Sequence, residues 1–138
     1  MDRDVSPPLV LVAACVLLDG EGRILIAKRP LGRPLVGLWE LPGGKVEAGE
    51  SPEHALSREL AEELGIEIAV DDLAPLTFAS HAYPDFHLLM PVFLCSRWRG
   101  TLTPHEGQEL AWVRPAELAS YAMPAADEPL KAVLPVLL

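Results

Sequence analysis

Three glutamates lie close together in the segment SRELAEELGI, residues 57–66. Glu59, Glu62 and Glu63 are spaced i, i+3 and i+4, so a helix places them on one face. Like charges at these spacings destabilise an isolated helix by roughly 0.2–0.5 kcal/mol per pair. A divalent cation that prefers oxygen ligands, above all Mg²⁺, would remove this repulsion and would also bind substrate phosphates. The alternative is a solvated acidic face with no ligand.

The residues around the glutamates predict a helix with defined ends. Ser51 is a typical N-cap, and Pro52 suits the first helical position. The helix is expected to run to Leu64 and to end at Gly65. Its leucines repeat every four residues next to the glutamate face, so they would pack inward while the carboxylates border a cleft. These leucines are Leu56, Leu60 and Leu64.

The loop before the helix, LPGGKVEAGE, supports a ligand site. Its glycines, among them Gly43 and Gly44, permit close backbone approach to a ligand, and a carbonyl of such a loop offers another oxygen donor. Lys45 adds a positive charge. Arg58 precedes Glu62 by four residues, which places a cation beside the carboxylates that it would orient.

Residues 44–66, GKVEAGESPEHALSRELAEELGI, resemble the Nudix box, G-x5-E-x7-R-E-U-x-E-E-x-G-U with U aliphatic. Every defined position matches: Gly44, Glu50, Arg58, Glu59, Leu60, Glu62, Glu63, Gly65 and Ile66. The resemblance implies an α/β (α+β) Nudix fold, with a mixed β-sheet sandwiched between helices, in one domain over residues 1–138. It also implies hydrolysis of a nucleoside diphosphate linked to another group, with Mg²⁺ or, alternatively, Mn²⁺.

The same resemblance assigns roles within the box. It implies that the metal is bound by Glu59, Glu62, Glu63 and the carbonyl of Gly43. Arg58 would orient the glutamates, and Glu50 would order the loop and the metal shell.

Beyond the box, the chain resembles the MutT branch of this family over nearly its whole length. The matching pieces are LWELPGGKVEAGE, YPDFH, SRWRG, HEGQELAWV and MPAADEPL. This resemblance implies that Arg29 contacts phosphate and that Glu106 is a further metal-binding glutamate; Lys28 and Lys45 are additional phosphate candidates. MutT-type enzymes cleave a nucleoside triphosphate to the monophosphate and pyrophosphate. The expected catalytic residues are Glu59, Glu62, Arg58 and Glu106, with Glu59 as the general base and Glu106 as its competitor.

Two positions bear on the base that is recognised. Asp127 stands where MutT has an asparagine that hydrogen-bonds oxidised guanine. An ionised Asp only accepts hydrogen bonds, which suits the adjacent N1–H and N2–H₂ donors of a guanine-type base. Together with the resemblance to MutT, this makes 8-oxo-dGTP the expected substrate. Phe86 stands where MutT has an arginine, and a ring there can stack on a base. The segments GTLTPHEGQELAW and PAADEPL also resemble CTP pyrophosphohydrolases, so CTP, 5-methyl-dCTP or a broad range of nucleoside triphosphates remains the alternative.

Charge and composition limit the partners. The net charge of −9 argues against binding to nucleic acid polymers or anionic membranes, which leaves a small nucleotide as the expected partner. Asp2 and Asp4 flank Arg3 before the first apolar run, which is unlike a basic leader, and a cytoplasmic location is expected. Cys15 and Cys95 are predicted to be buried free thiols. A nucleotide sensor without catalysis is disfavoured because every box glutamate is present. Monomer and homodimer stay open.

The elements that position these residues follow from the apolar patterning. Strands are expected at residues 9–18 and in RILIAKR, LWEL, IEIAV, PLTFAS, FHLLMPVFLCSRW and LAWVR. Asp19 to Gly22 would close a hairpin between the first two strands. PLGRPLVG and PGGKVEAGE are expected to be loops. PAELASY is expected to be a short helix, and EPLKAVLPVLL a C-terminal helix that contains Pro135.

Overall fold

The structure, a computed structural model, describes residues 7–30, 32 and 36–138. The strands are β1 Leu9–Leu17, β2 Ile24–Lys28, β3 Trp39–Glu40, β4 Gly43–Lys45, β5 Ala74–Ala82, β6 His87–Cys95 and β7 Glu109–Val113. The helices are α1 Pro52–Leu64 and α2 Leu130–Leu137, and three 3₁₀ turns span Val70–Asp72, Pro115–Ser120 and Ala125–Asp127. The acidic residues around Arg3 and part of the predicted loop at residues 30–37 lie outside the described residues.

The strands form two sheets. In the four-stranded sheet the order is β4-β1-β6-β5, and in the three-stranded sheet it is β3-β2-β7. Because β1 is parallel to β6 while the other pairs are antiparallel, the larger sheet is mixed. The smaller sheet is antiparallel throughout. The expected α+β fold with a mixed sheet is confirmed, with the difference that the strands divide between two sheets.

The first strand explains the layering. Alternate residues of a strand point to opposite faces, and both faces of β1 are covered, so its sequence is continuously apolar. One face, with Cys15, packs in a buried cluster with the leucine stripe of α1. The other face, with Val16, packs in a second cluster with β2, β7 and α2. The two long helices therefore lie on opposite sides of the sheets. Cys15 and Cys95 are free and buried, as predicted.

The predicted turn after β1 is present, but it does not join two strands of one sheet. The Asp19 carboxylate accepts hydrogen bonds from the backbone N–H groups of Glu21 and Arg23, which closes the turn. Only the bridge between Leu18 and Ile24 then pairs the two segments. Beyond it, β1 and β2 enter different sheets.

Two segments differ from the prediction for opposite reasons. The prediction of a strand in IEIAV is wrong. Glu67 forms only a single bridge with Arg99, and the chain then turns at Val70–Asp72. The alternation of buried and exposed residues there arises because Ile66 and Ile68 pack in the cluster that contains the leucine stripe of α1. Conversely, part of the loop expected in PGGKVEAGE is strand β4, in which Gly43 and Gly44 pair with Ala14 and Ala13.

The C-terminal elements agree with the expectation. PAELAS forms a 3₁₀ turn, and the last helix continues through Pro135 to Leu137. Across the part of the chain that the structure describes, no helix combines the length and the apolar character needed to cross a membrane.

Candidate active site

Helix α1 has the ends that its sequence predicts. The Ser51 hydroxyl accepts a hydrogen bond from the backbone N–H of His54 at 3.1 Å, and Pro52 occupies the first turn. Gly65 ends the helix in the left-handed conformation, at φ 69°, and its N–H donates to the carbonyl of Ala61. The leucine stripe is fully buried, and on the adjoining face of the helix Glu59 and Glu63 are half-buried while Glu62 is exposed.

Strand β4 passes close to one of these glutamates. A Cβ atom on Gly44 would overlap the carboxylate of Glu59, and a Cβ atom on Gly43 would overlap the backbone oxygen of Ala13. Glycine has no Cβ, and it also tolerates the φ of 154° at position 43. The two glycines therefore allow the backbone of β4 to lie between β1 and the Glu59 carboxylate.

Arg58 links the loop to the helix. Its Nε and Nη2 donate to the two carboxylate oxygens of Glu50 at 2.7 and 2.8 Å, a bidentate pair. Nη1 donates to Glu59 at 2.8 Å, and Nη2 also donates to the carbonyl of Lys45 at 3.0 Å. Glu62 is farther away, at 3.7 Å from Nη1. The hydrogen bonds from Arg58 lower the pKa of Glu50 to about 2.

Glu63 has the most perturbed carboxyl group of the cluster. Burial disfavours its charged form, and a hydrogen bond with Glu59 together with the charges of Glu59, Glu106 and Glu40 raises its pKa further, to about 9. At neutral pH and without a cation, Glu63 is therefore protonated. The bound proton partly offsets the negative charge of the neighbouring carboxylates.

A cavity of about 650 Å³ collects most of the predicted phosphate and metal residues. Its walls include Gly43, Lys45, Glu59, Glu63, Glu106 and Arg29. Glu62 is not among them, and its side chain is 61% exposed. Among the described residues, no three candidate ligands already converge as a metal site.

A second cavity, of about 500 Å³, adjoins the first and has a largely apolar lining that includes Phe86, Tyr83, Met90, Leu88 and Asp127. Both cavities share Arg29, Gly43, Gly44 and Lys45 as lining residues. The sequence-predicted substrate residues are thus brought together along one continuous surface.

Asp127 lies at the wall of the apolar cavity with only 5% of its surface exposed. Burial and the negative charge of Glu40 raise its pKa to about 7, and the positive charge of Arg29 opposes the shift. Arg29 donates from Nε to Glu40 at 2.8 Å, so this ion pair lies where the two cavities meet. At neutral pH the Asp127 carboxyl is divided between its two protonation states.

Three residues of the site were missed by sequence reasoning. Glu40 forms the ion pair with Arg29; Tyr83 stacks on Phe86 with ring centroids 4.9 Å apart and accepts a hydrogen bond from the N–H of Ala126. Gln108 is buried beside Glu106. All three lie in segments that resemble the MutT branch, namely LWELPGGKVEAGE, YPDFH and HEGQELAWV. Local patterning does not show their long-range contacts, because Glu40 pairs with Arg29 and Tyr83 bonds to the amide of Ala126.

The protein is thus of the α+β class. Its candidate site consists of an acidic cavity, partly lined by Gly43 and Gly44, next to a largely apolar cavity. Residues 13–132 match the family described as the NUDIX domain. The chain therefore belongs to the Nudix family, and it is a Nudix hydrolase.

The relatives place the chain near the MutT branch. It is 43% identical over 96 residues to the 8-oxo-dGTP diphosphatase of Proteus vulgaris, which covers 70% of this chain and 84% of that protein. It is 38% identical over 131 residues to the CTP pyrophosphohydrolase of Escherichia coli, which covers 88% of each. A solved MutT structure, from work on the proteins of Aliivibrio salmonicida and Vibrio cholerae, has a TM-score of 0.78 at 33% identity and covers 94% of this chain and 99% of that one. The resemblance to MutT-like proteins is confirmed.

Hydrolases of this family generally use a divalent metal ion. The donor set fits such an ion: Glu59, Glu63 and Glu106 offer carboxylate oxygens, which hard divalent cations prefer. The raised pKa of Glu63 reports a site whose negative potential a cation would relieve.

Proposed function

We propose that this protein hydrolyses nucleoside triphosphates to nucleoside monophosphate and pyrophosphate with Mg²⁺, or alternatively Mn²⁺. The preferred substrates are oxidised guanine nucleotides such as 8-oxo-dGTP, and the role is sanitation of the nucleotide pool in support of DNA repair. The observation that carries this proposal is the pair of adjoining cavities, one lined by carboxylates and cations and the other largely apolar with a buried carboxyl group. A nucleoside triphosphate likewise has a polyanionic end and a planar, largely apolar end on one molecule.

At the polyanionic end, the proposed metal ligands are Glu59, Glu62, Glu63, Glu106 and the carbonyl of Gly43. A divalent ion held by these residues would supply positive charge that neutralises the phosphates and makes a water easier to deprotonate. Glu59 accepts the proton of the attacking water, with Glu106 as the alternative base.

Other side chains at this end position the substrate and the base. Arg58 holds Glu59 in place through its hydrogen bond of 2.8 Å. Arg29 and Lys45, which line both cavities, bind phosphate oxygens.

At the planar end, Asp127 and the aromatic pair Tyr83 and Phe86 receive the base. Ionised Asp127 accepts from N1–H and N2–H₂ of a guanine-type base. The two rings, stacked with an interplanar angle of 30°, offer an apolar surface beside it. The pair of acceptors on Asp127 favours guanine nucleotides, whereas the rings can stack on any base.

The pKa of Asp127 supports cytidine nucleotides as the second candidate. With a pKa of about 7, a large fraction of the side chain is protonated at neutral pH. A protonated carboxyl offers one donor and one acceptor, which match N3 and N4–H₂ of cytosine. CTP or 5-methyl-dCTP would then be read by the same residue.

The test is hydrolysis of 8-oxo-dGTP, dGTP, CTP, 5-methyl-dCTP and ADP-ribose with Mg²⁺, with kcat/KM and the phosphate product measured for each. Release of pyrophosphate with a large preference for 8-oxo-dGTP over dGTP is expected. A preference for the cytidine nucleotides would replace the guanine assignment and keep the metal chemistry. Tight nucleotide binding without turnover would instead identify a sensor.

Two variants test the acidic residues. Glu59→Gln and Glu62→Gln are expected to remove most turnover while the far-UV circular dichroism spectrum is unchanged. Glu67→Gln is the matched control, because Glu67 is exposed and lines neither of the two cavities. Wild-type rates in both site variants would refute the metal-site assignment.

A further inference from the structure

The C-terminal end of α1 is capped by a loop that is distant in sequence, residues 103–108. The backbone N–H of Thr103 donates to the carbonyl of Leu64 at 2.8 Å, and that of His105 donates to the carbonyl of Glu63 at 3.0 Å. The last carbonyls of a helix have no partner within the helix, so these bonds satisfy groups that would otherwise need water. The same loop carries Glu106 to the acidic cavity.

His105 adds a side-chain bond to this cap. Its Nδ1 lies 2.8 Å from the carbonyl oxygen of Glu62. A carbonyl only accepts, so the imidazole donates through Nδ1. The ring also lies against Gly65: a Cβ atom there would be 3.0 Å from Cε1 and Nε2 of His105. The glycine that ends α1 thus leaves the space that the imidazole occupies.

Gln108 joins the loop to the helix from the other side. It is 8% exposed, and both ends of its amide are used. Its Oε1 accepts from the backbone N–H of Glu106 at 2.9 Å, and its Nε2 donates to the carbonyl of Glu63 at 3.2 Å. One side chain therefore connects the main chain of Glu106 to the main chain of a glutamate on α1.

We propose that His105 and Gln108 are positioning residues, which fasten the loop of Glu106 to the end of α1 so that Glu106 keeps its place relative to Glu62 and Glu63. The proposal rests on the proposed metal-binding role of Glu106. His105 and Gln108 bond to the backbone carbonyls of Glu62 and Glu63, which are proposed metal ligands on α1. A displacement of the loop would therefore change the distance between Glu106 and these two glutamates. Partners that orient metal ligands typically contribute about 10- to 100-fold in metal affinity or activity.

Three substitutions separate the hydrogen bonds from the packing. Gln108→Met keeps the approximate length of the side chain and removes both amide bonds. His105→Phe keeps a ring over Gly65 and removes the Nδ1 donor. His105→Asn places an amide nitrogen near the position of Nδ1, so it restores the donor without the ring. The control is His54→Phe, which removes the 2.7 Å contact between a histidine Nδ1 and Ser51 at the opposite end of the same helix.

The measurements are Mn²⁺ affinity from the electron paramagnetic resonance signal of free Mn²⁺, exchange of the Glu106 amide proton by nuclear magnetic resonance, and kcat and KM with Mg²⁺. Gln108→Met and His105→Phe are expected to weaken Mn²⁺ binding and to lower kcat, each by about tenfold. Gln108→Met is also expected to speed exchange of the Glu106 amide proton, because this N–H loses the Oε1 atom of Gln108 as its acceptor. His105→Asn is expected to recover most of the loss, and His54→Phe to bind Mn²⁺ as the wild type does.

A double-variant comparison shows whether the two residues act through Glu106. In a Glu106→Gln background, His105→Phe is expected to change kcat by less than about twofold, because the group that it positions is gone. An equal loss in both backgrounds would overturn the proposal. Wild-type Mn²⁺ affinity and kcat in His105→Phe and Gln108→Met, with Glu106→Gln impaired, would overturn it and leave the proposed function standing. Wild-type behaviour of Glu106→Gln itself would overturn both the positioning role and the assignment of Glu106.

Discussion

Replacing Glu63 by Gln in the metal-free protein tests the electrostatic description of the site. The pKa of Glu63 is raised from 4.5 to about 9 by burial, by the hydrogen bond with Glu59 and by neighbouring negative charges. The folded chain therefore binds a proton that the unfolded chain releases between these two values. The resulting stability is complete below pH 4.5 and is lost as the pH rises toward about 9.

The size of this effect follows from the shift. One pKa unit corresponds to about 1.36 kcal/mol, so the 2.5 units between pH 5.5 and pH 8 give a ceiling of about 3 kcal/mol. Water reaches the open side of the cavity and screens the charges, so about 2 kcal/mol is expected. Gln keeps the shape and the hydrogen-bonding capacity of the protonated side chain and does not titrate, so the variant loses this dependence on pH.

Urea denaturation with excess chelator at pH 5.5 and pH 8 measures the difference. Wild-type stability is expected to fall relative to Glu63→Gln by about 2 kcal/mol over this interval. Asp127 also titrates in this range, but it is present in both proteins and its contribution cancels. The matched control is Glu67→Gln, which should follow the wild type. Equal changes with pH in the wild type and Glu63→Gln would refute the assignment of a proton to Glu63.

Three further outcomes are expected. Addition of Mg²⁺ at pH 7.5 should release close to one proton per protein from the wild type, because carboxylates that bind the ion must be deprotonated. Glu63→Gln should release far less. A pH indicator in weakly buffered solution measures the released protons. Gly44→Ala should lower kcat by about 10- to 100-fold while the chain stays folded, since the new Cβ meets the carboxyl end of Glu59, which must shift away from Arg58, and not the backbone. Loss of the fold at unchanged specific activity would contradict this. The ratio of kcat/KM for 8-oxo-dGTP to that for CTP should rise between pH 6 and pH 8, because Asp127 loses its proton in this range. The rise should be absent in Asp127→Asn. If this ratio does not change with pH in the wild type, Asp127 does not belong to the base pocket.

The parts of the structure that the sequence predicts well are those built from local chemistry. Ser51 and Gly65 determine the ends of α1 through one side-chain cap and one left-handed residue, and both act within a single turn. The burial of the leucine stripe follows from a repeat of four residues. IEIAV and Gly43–Lys45 were predicted wrongly because strand formation depends on a distant partner: Glu67 finds a single bridge, whereas Gly43 and Gly44 find β1.

The same distinction applies to the site. The box glutamates lie on one helix, so their common face follows from spacing alone. Glu106 and Asp127 were reached only through resemblance to relatives, because tertiary contacts bring them to the cavities. Gln108 and Tyr83 show the limit most clearly, since their importance lies in bonds to the amide of Glu106 and the amide of Ala126. No periodicity in the chain encodes these bonds.

The distribution of charge reconciles an acidic protein with an anionic substrate. A net charge of −9 repels a triphosphate at long range, and Arg58, a cation of the box, is already committed to Glu50 and Glu59. Arg29 and Lys45 line the cavity, but Arg29 is paired with Glu40. Among the described residues, the cations that line this cavity, Lys28 included, are therefore fewer than the negative charges of the cluster and a triphosphate together. Divalent ions that arrive with the substrate would supply the missing charge, and the proton on Glu63 is what they must displace. Substrate affinity should for that reason depend on the divalent ion more steeply than on monovalent salt.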